Sequence, residues 1–66
     1  MSEKEFVIAA LQYYSIEIFE VTDRLVKVAK GYEIEMEGNS LYKLISDGQV
    51  IAPFDNMDEL CCFILL

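Results

Sequence analysis

Residues 2–31 read SEKEFVIAALQYYSIEIFEVTDRLVKVAKG, and the way this stretch is read decides the fold. Within it Val7, Leu11, Tyr14, Ile18, Val21, Leu25 and Val28 follow one another at steps of three and four residues. That spacing keeps one face of an α-helix apolar. It predicts a single long helix ending at Gly31, with the rest of the chain folded against it. Ser2 and Glu5 are placed as a capping box, in which each side chain bonds the other residue's amide. Glu20 with Arg24 and Asp23 with Lys27 stand four apart with the acid first, the favoured order for helical pairs. Arg24, Lys27 and Lys30 gather late, where the helix dipole accepts positive charge, and Gly31 suits the left-handed residue that closes a helix.

The β-branched residues of the same stretch pull the other way. Ile16, Ile18, Val21, Thr22, Val26 and Val28 lose side-chain freedom in a helix. A break near Ser15, a second helix capped by Thr22, or a strand over residues 16–21 are the alternatives. The long helix is the preferred reading because stripe, cap, ion pairs and stop agree. The apolar face is too wide for a coiled-coil seam and lacks its flanking charges, so it is expected to pack on a sheet.

After Gly31 the period changes to two. Residues 32–37 alternate apolar and acidic, the pattern of a half-buried strand. Gly38-Asn39-Ser40 is a hairpin loop, residues 41–46 form a second strand, Asp47-Gly48 is a strong two-residue turn, and residues 49–52 form a third strand stopped by Pro53. Counting from the turns sets Glu35 opposite Lys43, Met36 opposite Tyr42, Ile34 opposite Leu44, and Leu44 opposite Ile51. One sheet face then carries Ile34, Met36, Tyr42, Leu44 and Ile51 and packs on the helix. The other carries Glu33, Glu35, Glu37 and Lys43 beside Leu41, Ile45, Val50 and Ala52. Asp55 is placed to cap a last helix from Asn56 to about residue 65, with Asp58 and Glu59 in its first turn. Beyond Glu59 this helix is apolar on every side, which implies burial on every side. The expected fold is therefore one α+β domain, 1–66, in the order α-β-β-β-α: a long N-terminal helix, a three-stranded antiparallel meander and a short apolar C-terminal helix.

Composition narrows function by exclusion. The chain has no histidine, so neither a Ser-His nor a Cys-His pair is available. The glycines at 31, 38 and 48 are isolated and build no phosphate loop. Cys61 and Cys62 are adjacent and close no useful loop, and two cysteines without histidine do not complete a structural zinc site. On a helix their side chains diverge by about 100°, and buried small hydrophobes are the simpler reading. No cofactor or metal is expected. Unpaired thiols and the absence of a signal-like start point to the cytoplasm, and no apolar run approaches the length of a membrane span. A net charge of −7 argues against direct nucleic-acid binding, and the basic residues 24, 27 and 30 are accounted for by helix pairing. No motif assigns a family.

What remains is surface. An apolar fraction of 55% is high for 66 residues to hide. The expected function is a non-enzymatic interaction module, self-associating as a homodimer through the last helix (Phe63, Ile64, Leu65, Leu66) and the apolar part of the sheet (Ile45, Val50). The alternative is an acidic decoy or inhibitor that uses the row Glu33, Glu35, Glu37 to bind a basic, nucleic-acid-handling protein. The plainer account of that row is a solvent face that keeps an edge strand from sticking.

Overall fold

The computed structural model describes residues 2–66. Its first helix, α1, is much shorter than the stripe suggests and spans Glu3–Tyr13. The capping box forms: the Ser2 amide donates to Glu5 Oε1 at 3.0 Å, and the Glu5 amide donates to Ser2 Oγ at 3.2 Å. The Ser2 amide, and after it the Ser2 hydroxyl, hold the Glu5 carboxyl below its ordinary pKa. The helix stops where Ser15 turns left-handed at φ 60°. The Ser15 amide donates to the Gln12 carbonyl at 3.0 Å and the Ile16 amide to the Leu11 carbonyl at 2.9 Å. This pair of bonds is a Schellman closure, and the buried side chains of Leu11 and Ile16 supply its apolar contact.

The remainder of the supposed helix is a β-hairpin. Strand β1 is Ile18–Val21 and β2 is Leu25–Val28, antiparallel with a bulge between Ile18 and Glu20. Of the alternatives, the break near Ser15 and a strand within residues 16–21 are what form. The helical ion pairs are rearranged accordingly. Lys27 reaches Glu20 across the hairpin at 3.9 Å, and Asp23 meets Lys4 of α1 at 3.9 Å. Gly31 does take positive φ, 76°, but it closes a 3₁₀ turn, Ala29–Gly31, between two strands.

Strands β3 (Tyr32–Gly38), β4 (Leu41–Ser46) and β5 (Gln49–Phe54) complete a sheet whose spatial order is the chain order, β1-β2-β3-β4-β5. The fold is thus α+β with two helices and an antiparallel sheet, but the sheet has five strands where three are expected. The β3–β4 register is as counted from the turn: Ile34 faces Leu44, Glu35 faces Lys43, and Met36 faces Tyr42. Gly38 stays in the ladder opposite Leu41 beside a bulge, so the turn proper is Asn39-Ser40, both at positive φ. Between β4 and β5 the register differs by one. A bulge at Val50 and Ile51 sets Leu44 opposite Ala52, which sends Ile51 to the solvent side and Ala52 to the covered side. Pro53 does not end β5. It sits opposite Lys43 on an outer strand, where a missing donor is tolerated.

The last helix, α2, spans Met57–Leu65 and is capped by Asn56, not Asp55. Asn56 Oδ1 accepts from the Asp58 and Glu59 amides at 2.8 and 3.2 Å. Both helices lie on one sheet face. Val7 and Leu11 from α1 and Met57, Leu60, Cys61 and Ile64 from α2 meet Val26, Val28, Ile34, Met36, Tyr42 and Leu44. Burial lifts the Tyr42 hydroxyl above its ordinary pKa, with Glu3 adding to the effect. The helices are tied by the Tyr14 hydroxyl, which donates to Asp58 Oδ1 at 2.9 Å. The chain exposes 4199 Å², close to the roughly 4,300 Å² expected of a folded monomer of this mass. The chain is thus as compact as a folded monomer, although Phe6, Tyr13, Phe19, Val50, Ile51 and Leu66 remain exposed. No helix among the described residues is long and apolar enough to cross a membrane.

Candidate functional site

The sheet face that carries no helix presents both apolar and acidic side chains to solvent. Its residues follow from strand alternation and the three bulges. Strand β3 contributes Glu33, Glu35 and Glu37. Strand β2 contributes Leu25 and Lys27, and β1 contributes Phe19 and Glu20. On the other side β4 contributes Leu41, Lys43 and Ile45, and β5 contributes Val50, Ile51 and Pro53.

Charge occupies the middle of this face and apolar side chains its flanks. The acidic row lies on the third strand of five, so it is not the guard of an edge strand. Lys43 Nζ lies 2.9 Å from Glu37 Oε1, and this contact raises the Lys43 pKa. Lys27 is drawn to Glu20. Among the described residues Glu33 and Glu35 therefore enter no ion pair within 4.0 Å, although each stands directly across from a lysine in the ladder. On the β4–β5 flank Leu41 is 37% exposed, Val50 53% and Ile51 45%. Together with Ile45 and Pro53 they make a contiguous apolar flank on this face. On the far flank Phe19 is 63% exposed and borders a shallow cleft with Lys27, Tyr32 and Glu33.

The other expected contact residues separate. Ile64 is buried in the core and offers nothing to a partner, because α2 lays the stripe 57, 60, 61, 64 on the sheet; the helix is apolar all round beyond Glu59 but buried on one side only. Phe63 is half-buried against Tyr32 and Phe54, with ring centroids 6.2 and 5.9 Å away. Leu65 and the almost fully exposed Leu66 end the helix in solvent. Ile45 and Val50 are on the open face as expected. Ile51, Leu25 and Phe19 belong there too. Ile51 was hidden by the bulge, and the other two by the helical reading of residues 15–31.

The remaining chemistry is modest. Cys61 is buried, and desolvation, with Asp58 and Cys62 adding, pushes its thiol up to about 11, whereas Cys62 is exposed. Among the described residues no group of three or more His, Cys, Asp or Glu stands together as metal ligands would. An open cleft of about 350 Å³ at the start of α1 is lined by Glu3, Lys4, Asp23, Arg24 and Glu37, whose charges nearly balance within the cleft.

The molecule is thus an α+β domain with two helices on one face of a five-stranded meander and a mixed acidic and apolar surface on the other. No family model, no curated protein and no solved structure matches the chain.

Proposed function

We propose that this chain is a non-enzymatic protein-interaction module of the reducing cytoplasm that docks another polypeptide on the open face of its sheet. One observation carries the reading: Leu41, Val50 and Ile51 stand exposed on a sheet face with no helix over it, while two helices cover the opposite face. The residues available for chemistry support the non-enzymatic half. The chain has no histidine, the Cys61 thiol is buried and raised, and Asp58 is engaged by Tyr14.

Self-association through the end of α2 is a second reading, favoured by the exposure of Leu65 and Leu66. Sedimentation of the chain with Leu65 and Leu66 changed to serine tests it. Phe63 is spared because its ring packs on Tyr32 and Phe54. A dimer that these changes dissolve supports the second reading.

The main reading is tested by a photo-reactive residue placed at position 50, with position 17 as the off-face control. A discrete adduct formed from position 50 alone supports docking on this face. Adducts that are equal from both positions, or absent from both, overturn it.

A further inference from the structure

We infer that the occupant of the open face is a basic amphipathic helix lying along β4, with its cationic side over Glu33 and Glu35 and its apolar side over Ile45, Val50 and Ile51. The inference rests on the docking role of this face and names the partner's chemistry.

Three features choose the occupant. The edges come first. β1 has four residues and a bulge, and β5 has a bulge and Pro53. Both devices blunt strand addition, so a partner approaches the face and not the rim.

The second feature excludes another copy. Two such faces pair about a two-fold axis lying between them, and centring the pair superposes β3 on β3. If the axis runs along the strands, Glu33 meets Glu33 and Glu35 meets Glu35. If it runs across them, Glu33 meets Glu35. Either arrangement brings like charges together in a desolvated interface, between two chains that each carry −7. A copy shifted to meet only at the β4–β5 flank would be held by Leu41, Ile45, Val50, Ile51 and Pro53 alone, well short of the roughly 20–30 residues a side of a standard interface.

The third feature is size. β3 to β5 spans two strand spacings, about 10 Å, and a helix is about 10–12 Å across with its side chains. The strands run for about 20 Å, the length of about 13 helical residues at 1.5 Å each. Glu33 and Glu35 are two residues apart, about 7 Å along a strand, and cations four apart on a helix stand about 6 Å apart. Lys43, beneath the helix axis, makes its direct contact with Glu37 and feels Glu35 only through space, which leaves Glu33 and Glu35 without a direct ion pair among the described residues.

The probe is a synthetic helix of about 14 residues with leucines on one stripe and lysines along one flank. A peptide of the same composition with its lysines scattered around the helix is the control. Binding is followed by amide chemical shifts of the labelled protein at low and physiological ionic strength. The ordered peptide is expected to bind more tightly than the scattered one and to move amides of β3, β4 and β5. Glu33→Gln with Glu35→Gln is expected to weaken binding about fivefold at low salt. Glu17→Gln with Glu59→Gln, off the face and equal in charge change, is expected to weaken it less than about twofold. Equal losses from the two pairs, or equal binding of the two peptides, would overturn the inference. If Val50→Ser with Ile51→Ser abolishes binding while the Gln pair on β3 leaves it intact, the face docks an uncharged partner and only the basic helix is refuted. Shifts confined to residues off the face would refute the docking role as well.

Discussion

Ser15→Gly separates the observed fold from the long helix by the sign of its effect. Ser15 sits at φ 60°, a conformation that costs an L-residue with a β-carbon about 1–2 kcal/mol and glycine almost nothing. Part of that gain is offset because glycine gives up more chain freedom on folding. Ser15 is exposed, so no core contact is lost. The expected change is a stabilisation of about 0.5–1 kcal/mol, or a rise in Tm of roughly 2–8 °C for a domain of this size. In the interior of a helix the same substitution would destabilise by about 0.3–0.5 kcal/mol, since serine is already a weaker helix former than alanine. Reversible urea and thermal unfolding followed by circular dichroism give the answer directly. A loss of stability, with the urea slope unchanged, would refute the Schellman closure and with it the hairpin that follows.

Leu11→Ala removes a fully buried side chain between α1 and the sheet and is expected to cost about 2–5 kcal/mol. That is comparable with the whole stability of about 3–10 kcal/mol for a chain of this length, so the variant should be largely unfolded at 37 °C by circular dichroism. Val50→Ser, at an exposed position, is expected to change stability by less than about 0.5 kcal/mol in the same melt. Tyr14 donates to Asp58 and its pKa rises from 10.0 to about 12, chiefly through that hydrogen bond. A folded pKa above the unfolded one means its stabilisation is complete below pH 10 and lost as pH climbs to about 12. Tyr14→Phe should flatten the fall in Tm across that window. With a thiol reagent the native chain should label quickly at Cys62 and slowly at Cys61, and unfolding should equalise the two.

Where local chemistry was strong the sequence could be read. Ser2 with Glu5 marked the start of α1, Asp47-Gly48 marked the turn before β5, the loop at Gly38-Asn39-Ser40 fixed the register of Glu35 on Lys43, and the alternation from Tyr32 placed the acidic row on the solvent side. Residues 15–31 misled because a hairpin with a bulge repeats its apolar side chains at intervals that imitate a helix. Val7 and Leu11 do face the core from a helix, but Val26 and Val28 reach it from a strand, and Val21 is exposed. The deciding signals were the β-branched density and Ser15, whose left-handed turn no apolar periodicity records. The bulge at Val50 and Ile51 is a cooperative property of the paired strands. It left half of the open face legible and moved Ile51 onto it.

The chain order of the strands bears on how the molecule comes into being during synthesis. Each strand pairs with the one made just before it, so the sheet grows as the polypeptide emerges and waits for no distant segment. Its inner face has a different history. Leu60, Cys61 and Ile64 come from α2, and Tyr14 meets Asp58 across 44 residues of chain. Until α2 emerges, Tyr42 and Leu44 are roofed only in part by α1, and the nascent sheet shows apolar surface on both sides. That interval is when the chain is most open to aggregation or to a chaperone. A ribosome stalled before residue 57 has left the tunnel should present a protease-sensitive sheet that becomes resistant once the last helix is released.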